Sequence, residues 1–131
     1  MDPKYLKKLV LDYNRITDIS PLAECTSLEY LRLVEIQIKD ITPLTNLIFL
    51  SSLDLSSNLI EDITPLKNLN YLEWLNLNSN QINDLTPLVE NTGLNFGDYL
   101  DIRYNSLDLT EGSPDLEAIN TLIERGIEVD Y

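Results

Sequence analysis

The chain has 131 residues, enough for one domain with a modest core, and its 22 Asp and Glu against nine Lys and Arg give a net charge of −13 with no histidine. That balance argues against binding to nucleic acid or an anionic membrane, both of which need a basic face, and it suits a partner with a basic surface. A single cysteine, Cys25, excludes an internal disulfide and a multi-cysteine metal site, and no apolar run approaches the ~20 residues that would span a bilayer.

The opening residues 1–8, "MDPKYLKK", fit the second half of a repeat, because Leu6 lies 22 residues before Leu28. The expectation is a chain that begins in mid-coil as a piece of a longer repeat protein; the alternative is a minimal start that Lys4, Lys7 and Lys8 help to solubilise. The same stretch has no apolar segment of the secretory-signal kind. One phrase then recurs over residues 9–30, 31–52, 53–74 and 75–99, and a last strand opens residues 100–131. Position one of the phrase is Leu9, Leu31, Leu53, Leu75 and Leu100, at three intervals of 22 and one of 25. Position three is Leu or Ile throughout (Leu11, Leu33, Leu55, Leu77, Ile102). Position six is Asn14, Ile36, Asn58, Asn80 and Asn105. Position eight is Ile16, Ile38, Ile60, Ile82 and Leu107.

The alternation over positions one to five predicts a half-buried strand with its leucines inward. The Asn at position six turns the chain and satisfies backbone groups of a buried bend. Ser-Pro or Thr-Pro at positions twelve and thirteen predicts a helical turn with the hydroxyl as N-cap and Pro at N1. Leu22, Leu44, Leu66 and Leu88, then Leu28, Leu50, Leu72 and Leu94, return the chain to the core. One coil cannot bury its own apolar side, but stacked coils with parallel strands ~4.8 Å apart can. Ile36 breaks the Asn series and should leave a bend short of hydrogen bonds, so Ile36→Asn is expected to raise the melting temperature. At the C-terminus Ser113 is the expected N-cap of a helix with Pro114 at N1. Leu116, Ile119, Leu122 and Ile123 form its apolar stripe, Gly126 stands at C′, and "IEVDY" can add an edge strand.

"LxLxxNxIxDITPLxNLxxL" resembles the 22-residue leucine-rich repeat of bacterial internalin-like proteins, over nearly the whole chain. The resemblance implies an α/β solenoid: a curved stack with a parallel concave sheet, short 3-10 or turn segments on the convex side, and a C-terminal α-helical cap like the closing unit of some bacterial relatives. It also implies a module on the cell surface or secreted, holding a protein partner on the concave side; a monomer without catalytic activity is expected.

The residues free to vary on that side are position twenty-two of one repeat and positions two, four and five of the next. They carry the only Trp and four of the seven Tyr. The partner-binding set read from these columns is Tyr30, Arg32, Val34, Trp74, Asn76, Tyr99, Arg103 and Tyr104, since Trp, Tyr and Arg dominate interface energetics. Aromatic residues also suit strands for their own sake. A structural spacer without a ligand and a carbohydrate-binding face are the alternatives. Asp54, Ser56 and Ser57 suggest a shallow dip between two aromatic ridges.

Catalytic and metal chemistry finds little support, and no cofactor is implied. Without histidine there is no Ser-His or Cys-His pair. Cys25 stands where later repeats have Leu47 and Leu69 and reads as a buried small hydrophobe. Glu73 and Asp98, on neighbouring strands, are the one carboxylate pair of the glycosidase kind. Asp18, Asp40, Asp62 and Asp84 recur at position ten, either as a cation-binding column or, more simply, each bonding its own turn.

Overall fold

The computed structural model describes residues 2–131; Met1, the first residue of the partial opening coil, lies outside them. Six parallel strands form one sheet in chain order: β1 (Lys8–Val10), β2 (Tyr30–Arg32), β3 (Ser52–Asp54), β4 (Trp74–Asn76), β5 (Tyr99–Asp101) and β6 (Glu128–Asp130). The register obeys the repeat, with Leu9, Leu31, Leu53, Leu75 and Leu100 in one row that Val129 completes. Regular strand ends at position two, earlier than the alternation suggests. The ladder still runs on through Leu33 N–H to Asp54 O (2.9 Å) and Glu35 N–H to Ser56 O (3.2 Å), and the same pair recurs between the other coils. The strand stops because position five is left-handed in every coil. Tyr13, Glu35, Ser57, Ser79 and Tyr104 have φ between 54° and 59°, a conformation that costs an L-residue roughly 1–2 kcal/mol and bends the chain into its turn.

Behind the sheet the repeating leucines and isoleucines stack into a single core, fully buried in the central coils. In the first coil Leu6, Leu9, Leu11 and Ile16 are only partly buried, packed against the core from one side by the coil that follows. The convex side consists of 3-10 turns at Ser20–Glu24, Thr42–Leu44 and Thr64–Leu66, and of α1 (Thr86–Glu90). The expected hydroxyl N-caps are not used. The cap position falls on Ile19, Ile41, Ile63 and Leu85, which make no side-chain cap bond. Aspartate does that work instead: Oδ1 of Asp40, Asp62 and Asp84 accepts from the amides of Thr42, Thr64 and Thr86 at 2.8 Å, and Asp18 accepts from Ser20 at 2.9 Å. Hydrogen bonds from these Ser and Thr side chains and amides hold all four carboxyls below the usual range. The column is thus occupied with local turns. Among the described residues no group of three or more Cys, Asp or Glu side chains is arranged to hold a metal ion.

The Asn series does bridge coils. Asn58 Nδ2 donates to Leu33 O (2.7 Å) in the coil before and to Leu55 O (3.0 Å) in its own, while its Oδ1 accepts from Ile36 and Ile38 amides (3.1 and 3.2 Å). Asn80 and Asn105 repeat the pattern. Coil 2 departs from it. Ile36 is 0% exposed, a full member of the core, and the next residue, Gln37, is left-handed (φ 64°) as no other position-seven residue is. The turn has been rebuilt around a hydrocarbon, which overturns the expectation that Asn would improve it.

The repeat of 25 residues carries two further departures. Asn91 replaces the core leucine of position seventeen and is itself fully buried. Its amide donates to Leu66 O and Leu69 O (2.9 and 3.2 Å) and accepts from Gly93 and Leu94. Gly93 is required by close approach, since a Cβ there would stand 2.1 Å from Asn70 O. The cap helix α2 (Pro114–Glu124) starts as expected, with Ser113 Oγ accepting from Leu116 N–H at 3.2 Å, and ends at Gly126 (φ 88°). Ile119 and Leu122 are buried, but Ile123 is exposed: one narrow stripe of the helix meets the stack, and Ile123 lies beyond its edge. Arg125 fastens the cap by donating to Val89 O (2.5 Å) and Asn91 O (3.2 Å) at the carbonyl end of α1, where a cation also complements the helix dipole.

Two outcomes follow from this packing. Ile36→Asn removes a fully buried side chain and places an amide in a turn shaped for hydrocarbon, so it should lower stability by about 2–4 kcal/mol in urea unfolding. Asp40, Asp62 and Asp84 titrate in the folded chain below their unfolded value. Their contribution is therefore complete above the unfolded carboxylate range, near pH 4, and is lost as pH falls through the lowered folded values. Replacing all three by Asn, which keeps an acceptor, should flatten the acid limb of a melting-temperature profile below about pH 4.

Candidate functional site

The sheet face opposite the core carries the varied columns. Position twenty-two gives, strand by strand, Lys8, Tyr30, Ser52, Trp74, Tyr99 and Glu128 in one row. The groups on this row stack. Lys8 Nζ lies 4.5 Å from the centre of the Tyr30 ring, and Trp74 and Tyr99 stack with centroids 5.8 Å apart at 22°. Between Tyr30 and Trp74 only the short Ser52 intervenes.

The second row places Arg32, Asp54, Asn76 and Asp101 on successive strands. Most of these polar groups are already engaged. Oδ1 of Asp54, Asn76 and Asp101 accepts from the amide two residues on, at 3.0, 3.0 and 3.1 Å. Arg103 grips Asp101 with two bonds (Nε to Oδ1 3.0 Å, Nη2 to Oδ2 2.6 Å) and lies 3.7 Å from Asp130. Burial pushes the Asp101 carboxyl up, and the bonds and charge of Arg103 more than reverse this, leaving it below the usual range. Tyr99 Oη donates to Asp130 Oδ2 at 2.8 Å, and this bond pushes the phenol up to about 12. Arg32 Nη2 is 3.0 Å from Asp12, while its buried Nε, 3.9 Å from Asp54 Oδ2, has no hydrogen-bond partner among the described residues.

The eight residues read from the sequence therefore fall into groups. Trp74, Tyr99 and Arg103 form one connected cluster through Asp101 and Asp130. Tyr30 and Arg32 form a second, two strands away. Asn76 is half-buried between them, and Tyr104 is exposed at the left-handed bend. Val34 does not stand on the open surface as expected. It is 7% exposed, because position four is recessed where the coil starts to bend, with its amide held by Asp12 Oδ1 at 3.0 Å.

A second aromatic surface escaped the sequence reading. Phe49 and Tyr71, both at position nineteen, stack with centroids 6.1 Å apart. Phe96, in the segment that lengthens the 25-residue repeat, is 85% exposed, and a cavity of about 420 Å³ reaches from Tyr71 to Phe96 past Asn70, Glu73 and Asn95. The signal was present at the same 22-residue spacing, on the segment leading up to the strands rather than on the strands.

The groups weighed for catalysis differ in their surroundings. Cys25 is buried, which pushes its thiol pKa up. Asp98, buried, accepts from Asn95 N–H at 2.8 Å, whereas Glu73 is exposed. Among the described residues no helix is long and apolar enough to cross a membrane.

A family profile described as Leucine Rich repeats (2 copies) matches residues 6–46 and 26–68. No curated protein matches the chain by sequence. Among solved structures, internalin C2 of Listeria monocytogenes is similar at 30% identity and a TM-score of 0.76, over 96% of this chain and 54% of that one. An internalin, inlF, of the same organism is similar at 33% identity and 0.72, over 96% and 43%. A leucine-rich-repeat protein of Leptospira interrogans shares the fold at 24% identity and 0.75, over 98% and 38%. The chain thus spans about half the length, or less, of the internalins it matches. With a 22-residue repeat, an in-register parallel sheet and this likeness, the chain belongs to the internalin-like leucine-rich-repeat proteins.

Proposed function

We propose that this chain holds a protein partner on the concave face of its sheet, acting as a monomeric module of a secreted or surface-attached protein. Leucine-rich repeats generally mediate protein–protein contacts, and internalin-like ones are typically without catalysis. The observation that carries the reading is the Trp74–Tyr99 stack with its buttress, in which Tyr99 is tied to Asp130 and Asp130 neighbours Arg103. Large, rigid aromatic groups fixed before binding lose little conformational entropy on association, and they are the residue types on which interfaces concentrate their energy.

A second reading places the partner on the ascending flank. Its support is the Phe49–Tyr71 stack and the exposure of Phe96 and Ile48, an apolar surface of the kind that marks interaction sites.

Partner capture by the immobilised chain separates the two. Trp74→Ala and Tyr99→Ala should each weaken retention of the captured protein by roughly 2 kcal/mol, about 30-fold in Kd, with the melting temperature preserved. Phe49→Ala with Tyr71→Ala should leave retention unchanged. The reverse result assigns the interface to the flank, and indifference to both pairs overturns either reading.

A further inference from the structure

We propose that the trough over the third coil receives an arginine side chain of the partner, a deepening that rests on the concave-face reading. The third coil is small along its whole outer side. Ser51 and Ser52 precede its buried leucine, Ser56 and Ser57 follow the next, and Asp54 lies between. Coils 2 and 4 rise on either side, so Tyr30 and Trp74 stand two strands apart, about 10 Å at the backbone. The outer faces of both rings are taken, one by Lys8 and the other by Tyr99. Along this row no side chain longer than that of Ser52 stands between them. A row of stacked groups is interrupted at one strand, which leaves a place in it vacant.

The charges around the trough select a cation. Asp54 forms its floor and is 6% exposed. Its Oδ1 is engaged by Ser56 N–H and Oγ, but its Oδ2 accepts no hydrogen bond among the described residues. The cation beside it, Arg32, is drawn the other way: Nη2 is 3.0 Å from Asp12, leaving Nε 3.9 Å from Asp54. Glu29 and Glu73, both exposed, flank Ser51 at the mouth of the trough. Glu29 is paired with Lys7 at 2.6 Å, whereas Glu73 makes no ion pair among the described residues. A guanidinium is planar, stacks on aromatic faces and remains charged at any working pH, and it meets a carboxylate edge-on. An ammonium shares the charge but not the shape.

Trp74 is the only tryptophan of the chain, so the trough carries its own reporter. The blocked tripeptide acetyl-Gly-Arg-Gly-amide, titrated into the full chain at constant ionic strength, should change Trp74 emission saturably in the millimolar range. The citrulline tripeptide, equal in shape but neutral, should bind about tenfold more weakly or not at all, and the lysine tripeptide should fall between. Ser52→Leu, which fills the trough without touching the core, should abolish the response at an unchanged melting temperature. Equal binding of citrulline and arginine, an unaltered response in Ser52→Leu, or the lack of any saturable change with arginine overturns the proposal. If the arginine peptide fails while Trp74→Ala still loses the captured partner, the trough proposal falls and the concave-face reading stands. If Trp74→Ala keeps the partner, that reading falls too.

Discussion

The parallel ladder in which each strand meets the residue 22 positions on is the constraint from which everything else follows. A backbone buried on one side must place its amides and carbonyls in neighbouring coils. Once Leu53 is set opposite Leu31 on one side and Leu75 on the other, every other position is set as well. A residue's place in the repeat then decides whether it meets hydrocarbon, another coil's backbone or solvent. One exception, the 25-residue repeat, keeps the strand register and places its extra residues in the segment leading up to β5, where Phe96 protrudes and Gly93 passes close under Asn70.

The bends show how narrow the polar accounting is. Asn58, Asn80 and Asn105 each reach into the preceding coil as well as their own, so one side chain serves two backbones. Each such bond contributes a modest net ~1 kcal/mol, but leaving a buried carbonyl or amide unpaired costs more, which makes the series hard to interrupt one member at a time. Coil 2 interrupts it with Ile36 and changes the backbone as well, at Gln37. Asn91 does the opposite. It replaces a core leucine with a buried amide whose bonds all find partners at the end of α1 and in the coil before. The same α1 end receives Arg125 from the cap, so the closing unit is attached by hydrogen bonds as well as by the Ile119 and Leu122 contacts.

The outer side is released from these demands, and its residues vary freely in size and charge along each row. Their grouping has physical consequences. A rigid cluster on β4 and β5, a cationic-aromatic pair on β1 and β2, and a serine-lined trough between them make a surface with relief instead of a uniform plane. Shape complementarity needs relief, and aromatic walls beside a buried carboxylate give it chemical character. The flank surface around Phe49 and Tyr71 sets exposed aromatic rings beside the polar side chains of Asn70, Glu73 and Asn95.

The repeat, the order and register of the strands, the leucine core, the cap helix with Ser113 and Gly126, and the rows facing away from the core were all legible in the sequence, because they depend on spacing alone and one period governs them. The structure alone decided what depends on contact between coils. Proline spacing suggested hydroxyl caps, but the geometry of each turn brings the aspartate within reach of the amide instead. Alternation placed Val34 outside, but the left-handed bend recesses it. A missing Asn looked like a lost set of bonds until the backbone at Gln37 showed a different turn. Arg103 and Arg32 read as partner-binding residues, yet carboxylates hold them, Asp101 of its own coil for Arg103 and Asp12 of the neighbouring coil for Arg32. A period tells which residues share a row; how far each side chain reaches, and which neighbour it meets first, is settled only when the coils are stacked.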